Sequence, residues 1–374
     1  MSLPTQNGFS MFKKYRWLLF YSGWVLVVFP ALALGLTLMP IIPALQEWDS
    51  IRFSYYVYQS QYSLVGLGTL LLAVGAIHAW PATRWWWRTI MVVAVVLALG
   101  VHYLSRTEAS AEVMFNEPTS VVRISANPEN LGADTTVYLW IERNGQIAGY
   151  PLDLVAHHHK IHDTIGGVPV LVTYCTMCHT GRVYSPVIDG KLESFRLVGA
   201  NHFNAIFEDK TTGSWWYQAT GECVVGPSSG KSFRDVPFIQ GTATEMLGLT
   251  RSRSISMFIP DRETGDRYSW SRGYALRAGD TTEALGRKSI MIGVIVGGEA
   301  RAYPLFDLVR NHDGQSIRDT VNGTVVAFIR PNRFSAPVTV FQDSVTSGVI
   351  LQSYREYWHS WQHFHPATKV WKHQ

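Results

Sequence analysis

Residues 145–172 read GQIAGYPLDLVAHHHKIHDTIGGVPVLV, and residues 298–327 read GEARAYPLFDLVRNHDGQSIRDTVNGTVVA. Both pass through Tyr-Pro-Leu, Asp-Leu-Val, a His and Asp-Thr-x-x-Gly before a β-branched strand. The second copy has three extra residues between Tyr-Pro-Leu and Asp-Thr. Self-similarity of this length marks one supersecondary unit used twice, so two related lobes are expected. Their texture is β. Runs such as VYLWIERNGQIAGYPL and GRVYSPVIDGKLESFRLV are alternating or β-branched and are broken by Asn-Gly, Gly-Gly and Asp-Gly turns. Helices there should be short: one after Pro151 (LDLVAHH), one near Gly241 to Leu249, and one around Tyr354 to Phe364.

The first hundred residues differ. Trp17 to Leu45, Ser63 to Trp80 and Thr89 to Ser105 contain no charged residue. A membrane-crossing helix needs about 20 largely apolar residues, with about 17 as the lower limit. The first run exceeds the roughly 7–15 apolar residues of a signal peptide, and three spans are expected. Lys13, Lys14 and Arg16 precede the first span, and Arg84 and Arg88 separate the second from the third. The intervening loop has only Arg52, beside Glu47 and Asp49. Basic flanks stay in the cytoplasm. The expectation is a multi-pass protein of a bacterial inner membrane, N-terminus cytoplasmic, with the chain after about Arg106 outside. His78 and His102 sit near the ends of their spans, beside Trp80 and Tyr103, and are read as interfacial.

The fold class expected is an all-α membrane region followed by a mostly β (α+β) soluble part. Its divisions are residues 1–105 (membrane), 106–230 (first lobe), 231–284 (connecting region) and 285–374 (second lobe).

The copies diverge after the shared strand: TYCTMCHTGRVY in the first, FIRPNRFSAPVTVF in the second. Losing both cysteines leaves the scaffold pattern intact, which makes Cys175 and Cys178 a functional pair confined to one lobe. Three chemistries fit Cys175-x-x-Cys178-His179. Covalent haem would use both thiols with His179 as axial ligand, but haem attachment motifs usually sit on helices and this one leaves a strand. A redox dithiol would exploit a lowered thiol pKa. A zinc or copper site would combine the thiolates with imidazoles, from His158, His159, His179 or His202. A structural disulfide is the bland alternative, although so small a loop stabilises little.

The residues that follow sharpen the picture. Tyr150-Pro151-Leu152, His158-His159, Asp163-Thr164-x-Gly166-Gly167 and Tyr174-Cys175-x-x-Cys178 occur in order. Thr212-Gly213-Ser214-x-Trp216-x-Gln218-x-Thr220-Gly221-Glu222 and a closing Trp358-x-x-Trp361-x-x-x-His365-Pro366 come after them. In these the chain resembles the bacterial family catalogued as domain of unknown function 3179, over about 120–226 and, more weakly, 285–371. The resemblance implies thiol-type reactivity, since members with selenocysteine in place of a cysteine are attributed to the family. Relatives often carry Gly, Asn or Arg in place of His179, which weakens the haem reading. Two departures stand out: no closing Trp-Trp-His-Pro element is recognisable between Lys231 and Pro260, and Asn201-His202 stands where many relatives have Tyr-Asn.

Around the thiols, Trp216 and Gln218 are candidates to line a bound ligand, and Glu222 is a candidate general acid or base. Cys223 reads as a buried small hydrophobe. The net charge of +4 is dispersed, and no P-loop or Rossmann glycine pattern is present. Partners expected are the lipid bilayer and another envelope protein or a small-molecule substrate, not nucleic acid. The competing class is a non-enzymatic envelope binding or assembly module.

Overall fold

The computed structural model describes residues 6–126, 136–243, 246–247, 255–265, 268, 285–310, 316–329, 331 and 338–372. The chain divides into two compact units, residues 1–114 with 198–201 and residues 115–197 with 202–374.

The first unit contains α1 (Gln6–Leu38), α2 (Ile51–Ala79), α3 (Trp85–Thr107) and a single turn, α4 (Ala111–Met114). The first three are long and apolar enough to cross a membrane. Their ends correct the sequence reading. The first helix stops at Leu38, because Pro40 and Pro43 disfavour helical backbone in the residues before them. The second begins at Ile51 rather than 63. Ile51, Ser54, Tyr55 and Gln61 bury one face of its polar-aromatic start. Small residues let α1 and α2 approach closely: a Cβ on Gly23 would lie 2.5 Å from Leu72 N, and one on Gly75 2.5 Å from Phe20 N. His78 Nδ1 bonds within its own helix, to Val74 O at 2.9 Å.

The second unit begins with β1 (Arg123–Ser125), β2 (Val137–Arg143), β3 (Gln146–Pro151), α5 (Leu152–His158), β4 (Lys160–Ile165), β5 (Val168–Cys175) and β6 (Thr180–Ser185). A small hairpin, β7 (Val187–Ile188) and β8 (Lys191–Leu192), leads to β9 (Phe195–Asn201), β10 (Asn204–Asp209), β11 (Trp215–Tyr217) and β12 (Cys223–Val225). Then come β13 (Arg234–Asp235), β14 (Phe238–Thr242) and β15 (Ile255–Phe258). The rest is β16 (Ile290–Val296), β17 (Glu299–Pro304), α6 (Leu305–Arg310), β18 (Ser316–Val321), β19 (Thr324–Ile329), β20 (Val340–Gln342), β21 (Ile350–Leu351), β22 (Ser353–Tyr357), α7 (Trp358–Phe364) and β23 (Lys369–Val370).

The pairings repeat. One sheet runs β1-β15-β3-β2-β14 and another β22-β16-β17-β23; β15 joins β3, and β23 joins β17, in parallel. A second pair of sheets runs β13-β6-β5-β4 and β18-β19-β20-β21. Strands from the segment read as a connecting region, β14 and β15, thus lie in the sheet of the first copy. The sheet β12-β11-β10-β9 is inserted between β6 and β13 and has no equivalent among the described residues of the second copy. Shared side chains do the same work in each: Tyr150 OH donates to Asp163, which Arg123 meets at 3.0 Å, and Tyr303 OH donates to Asp319 at 3.0 Å, which Arg301 meets at 3.2 Å.

The helix expected after Pro151 is α5. The one expected at Tyr354–Phe364 starts later, at Trp358, because Ser353–Tyr357 is taken up by pairing with β16. The helix expected near 241–249 lies partly outside the described residues; β14 runs to Thr242, and the described Ala243, Met246 and Leu247 are helical.

Candidate functional site

The Cys-x-x-Cys motif closes the hairpin between β5 and β6. Cys175 is the last residue of β5 and pairs with Thr180, leaving residues 176–179 as the loop. The loop closes at His179, whose φ of 57° is left-handed. Gly and Asn adopt that conformation most readily. His179 is buried, its Nδ1 lies 2.8 Å from Tyr174 OH, and its ring stacks on Tyr357 at 5.0 Å. Burial, aided by the Arg355 charge, lowers its pKa to about 3, so the ring is neutral at pH 7.

Both sulfurs are fully buried and unbridged. Cys175 Sγ lies 3.4 Å from Phe203 O, and Asn204 Nδ2 donates to Cys178 Sγ at 3.2 Å. The same Asn204 amide meets Gln218 Oε1 at 3.1 Å, and Gln218 Nε2 donates to Thr173 Oγ1 and Thr180 O at 3.0 Å each. Gln218 therefore ties the inserted sheet to both strands of the cysteine hairpin. Burial raises a thiol pKa. At Cys175 it is outweighed by hydrogen bonds from the Cys178 thiol and from the backbone N–H groups of Cys178, Ala205 and Met177, and the pKa falls below the ordinary value. At Cys178, burial and the neighbouring Cys175 sulfur push it well above. The pair is asymmetric: Cys175 is the more acidic thiol and Cys178 the less acidic one.

The C-terminal segment covers the loop. Tyr357 N donates to Cys178 O at 2.9 Å, and His359 Nε2 lies 3.2 Å from Met177 O. Behind it Arg182 on β6 pairs with Glu356 on β22 at 2.9 Å, with almost no solvent exposure on either side chain. Burial pushes the Glu356 carboxyl up, and Arg182, Ser360 and Thr180 pull against it.

The other expected residues are dispersed. His158 lies between Asn116 O (2.5 Å) and Tyr268 OH (2.6 Å), both ring nitrogens engaged. The His159 ring packs on Phe115 at 4.3 Å, and burial brings its pKa down to about 4. His202 stacks on His363 at 3.8 Å. Among the described residues no group of three His, Cys, Asp or Glu side chains converges as metal ligands. Trp216 is fully buried, donates to Asp209 at 2.9 Å and stacks on Phe233. Cys223 is buried, with its pKa raised by burial to about 11. Gln218 is at the site, whereas Glu222 lines a neighbouring cleft of about 400 Å³ that neither Cys175 nor Cys178 lines. Asn204, Arg182 and Glu356 were missed. Asn204 sits in no motif, and 174 residues separate Arg182 from Glu356.

One ion cluster near the histidines has a pH consequence. Burial would raise the Glu117 carboxyl, but the His162 hydrogen bond and the Lys160 charge (2.8 Å) outweigh it and hold its pKa at about 2. A depressed folded-state value gives stability that is full above the ordinary 4.5 and lost as pH falls through about 2. Glu117→Gln should therefore flatten the acid-side loss of stability between those values, measured as thermal midpoint against pH.

Residues 117–250 match the family described as "Protein of unknown function (DUF3179)". The match runs from just before the first copy through β14, and the second stretch of resemblance, 285–371, lies outside it. No curated protein and no solved structure matches the chain.

Proposed function

We propose that the β-rich unit is a membrane-anchored dithiol redox protein whose Cys175 and Cys178 cycle between two thiols and one disulfide. One observation carries this reading: the two sulfurs share a hairpin loop in which only Cys178 Sγ accepts from Asn204, and their pKa values are pushed in opposite directions, Cys175 down by converging N–H donors and Cys178 up by burial beside it. With a partner disulfide as oxidant, the Cys175 thiolate attacks one sulfur and releases the other as a thiolate. Cys178 then attacks Cys175 Sγ, freeing the second partner sulfur and giving up its proton to the released thiolates. The partner leaves as one thiol and one thiolate, two electrons richer. Because both sulfurs are covered, exchange requires the Met177–His359 contact to open. Asn204 and Gln218 orient Cys178.

A copper or zinc site is the weaker reading, since the expected imidazoles point elsewhere and only the two thiols lie together. The basic flanks of α1 and of the α2–α3 loop support an inner-membrane location with the β-rich unit outside the cytoplasm. Iodoacetamide labelling of the full chain, read by peptide mass spectrometry, tests the asymmetry. Cys175 should label first, with a midpoint below the ordinary thiol value of about 8.5. Labelling of Cys178 first, or equal rates, would contradict it, and thiols inert in both positions would favour a non-enzymatic binding or assembly module.

A further inference from the structure

The cleft of about 400 Å³ beside the cysteine hairpin has no part in the dithiol chemistry proposed above. Its volume is within the roughly 300–1,000 Å³ of small-molecule sites. Its floor is buried and aromatic, from Tyr184 and Tyr217, with Tyr354 and Phe364 beside them. Arg182 also reaches it, but that cation is spent. Nη2 goes to Glu356 at 2.9 Å, Nε to Ala219 O at 2.8 Å, and the guanidinium face lies 3.6 Å from the Tyr354 ring.

The rim carries the opposite sign. Glu222 and Asp235 are exposed lining residues. The chain brings them to one edge, because Glu222 bridges to Ser232 and Asp235 pairs with Tyr184. Among the described residues no side chain forms a hydrogen bond or ion pair with either carboxylate; burial raises the Asp235 carboxyl, and the Arg182 charge pulls against it. His365, also lining, is kept neutral at pH 7 by burial, which lowers its pKa to about 4. His363 has its ring against His202 at 3.8 Å. With Arg182 and Glu356 cancelling, the open charge of the cleft is negative over an aromatic floor. That combination favours a cation by charge and by ring quadrupole together.

We propose that this cleft binds a small organic cation, an amine or quaternary ammonium, its charge held between Glu222 and Asp235 and its carbon skeleton against Tyr217 and Phe364. An anion would meet two carboxylates at the rim and, in Arg182, a cation already hydrogen-bonded to Glu356 and Ala219.

Calorimetric titration of the full chain in detergent micelles with choline, cadaverine and benzoate tests this. At least one of the two cations should bind saturably and benzoate should not. Glu222→Gln/Asp235→Asn should weaken that binding at least tenfold without moving the thermal midpoint, since both groups are exposed. Cys175→Ser should leave it unchanged, so the cleft and the dithiol succeed or fail separately. No binding by either cation, binding of benzoate in preference, or unaltered affinity in the double variant would overturn the proposal.

Discussion

Arg182→Met should lower the thermal midpoint of the β-rich unit by roughly 10 °C, the equivalent of about 3–5 kcal/mol. Arg182 and Glu356 are 4% and 1% exposed, 2.9 Å apart. Removing one partner leaves the other charge, or the cost of neutralising it, inside the protein. Glu356 then has only the Ser360 and Thr180 hydroxyls against the burial that raises its pKa. Arg182→Met/Glu356→Met should recover most of the loss, because replacing both partners by apolar groups is often neutral. Circular dichroism melts of Arg182→Met, Glu356→Met and the double variant decide it. A double variant as unstable as the sum of both singles would show that the side chains act independently. The pair also joins β6 to β22, hence the strand leaving the cysteine loop to the segment that covers it.

Trp361→Ala should cost about 3–5 kcal/mol, as for other large buried aromatics. Trp361 is fully buried, and its ring lies where a Cβ on Gly293 would come within 2.1 Å of it. Gly293→Ala alone should destabilise by about 1–3 kcal/mol through overpacking. Combined with Trp361→Ala it should cost less than the sum, because the ring it strikes is gone. The melts of the two singles and the double measure that coupling, and strict additivity would refute the packing account.

The same glycine explains why one motif was illegible in the first copy. Trp140 pairs with Gly149 on β3, and Gly293 pairs with Ala302 on β17. Aligned on Tyr-Pro-Leu, Trp140 and Gly293 occupy the same strand position. In the first copy the indole comes from β2 itself, and a Cβ on Gly149 would strike it at 2.2 Å. In the second, the strand carries Gly and the indole arrives from α7. The closing Trp therefore has no counterpart between Lys231 and Pro260, although β14 and β15 pair there as β22 and β23 do. Pattern matching sees residue types in order; the sheet needs only an indole in the space.

The legible parts were those written locally. Tyr-Pro-Leu and Asp-Thr-x-x-Gly marked the hairpin, short helix and hairpin of each copy, and LDLVAHH gave α5. The Cys-x-x-Cys motif was readable as a strand exit. Its surroundings were not. Asn204, held by Gln218, reaches the Cys178 thiol from an inserted sheet, and Tyr357 and His359 reach the loop carbonyls of Cys178 and Met177 from the far end of the chain. The run of histidines suggested ligands because of its density. Its members instead find Asn116, Tyr268, Phe115 and Glu117, partners no spacing rule connects to them.

The most direct test of the dithiol account is a redox titration of the full chain against graded ratios of reduced to oxidised dithiothreitol, with the thiols trapped and counted by mass. A single two-electron transition, shifting tenfold in ratio for about 30 mV and absent in Cys175→Ser, is the predicted result. Thiols that stay reduced across the whole range, or a disulfide that never opens, would contradict it.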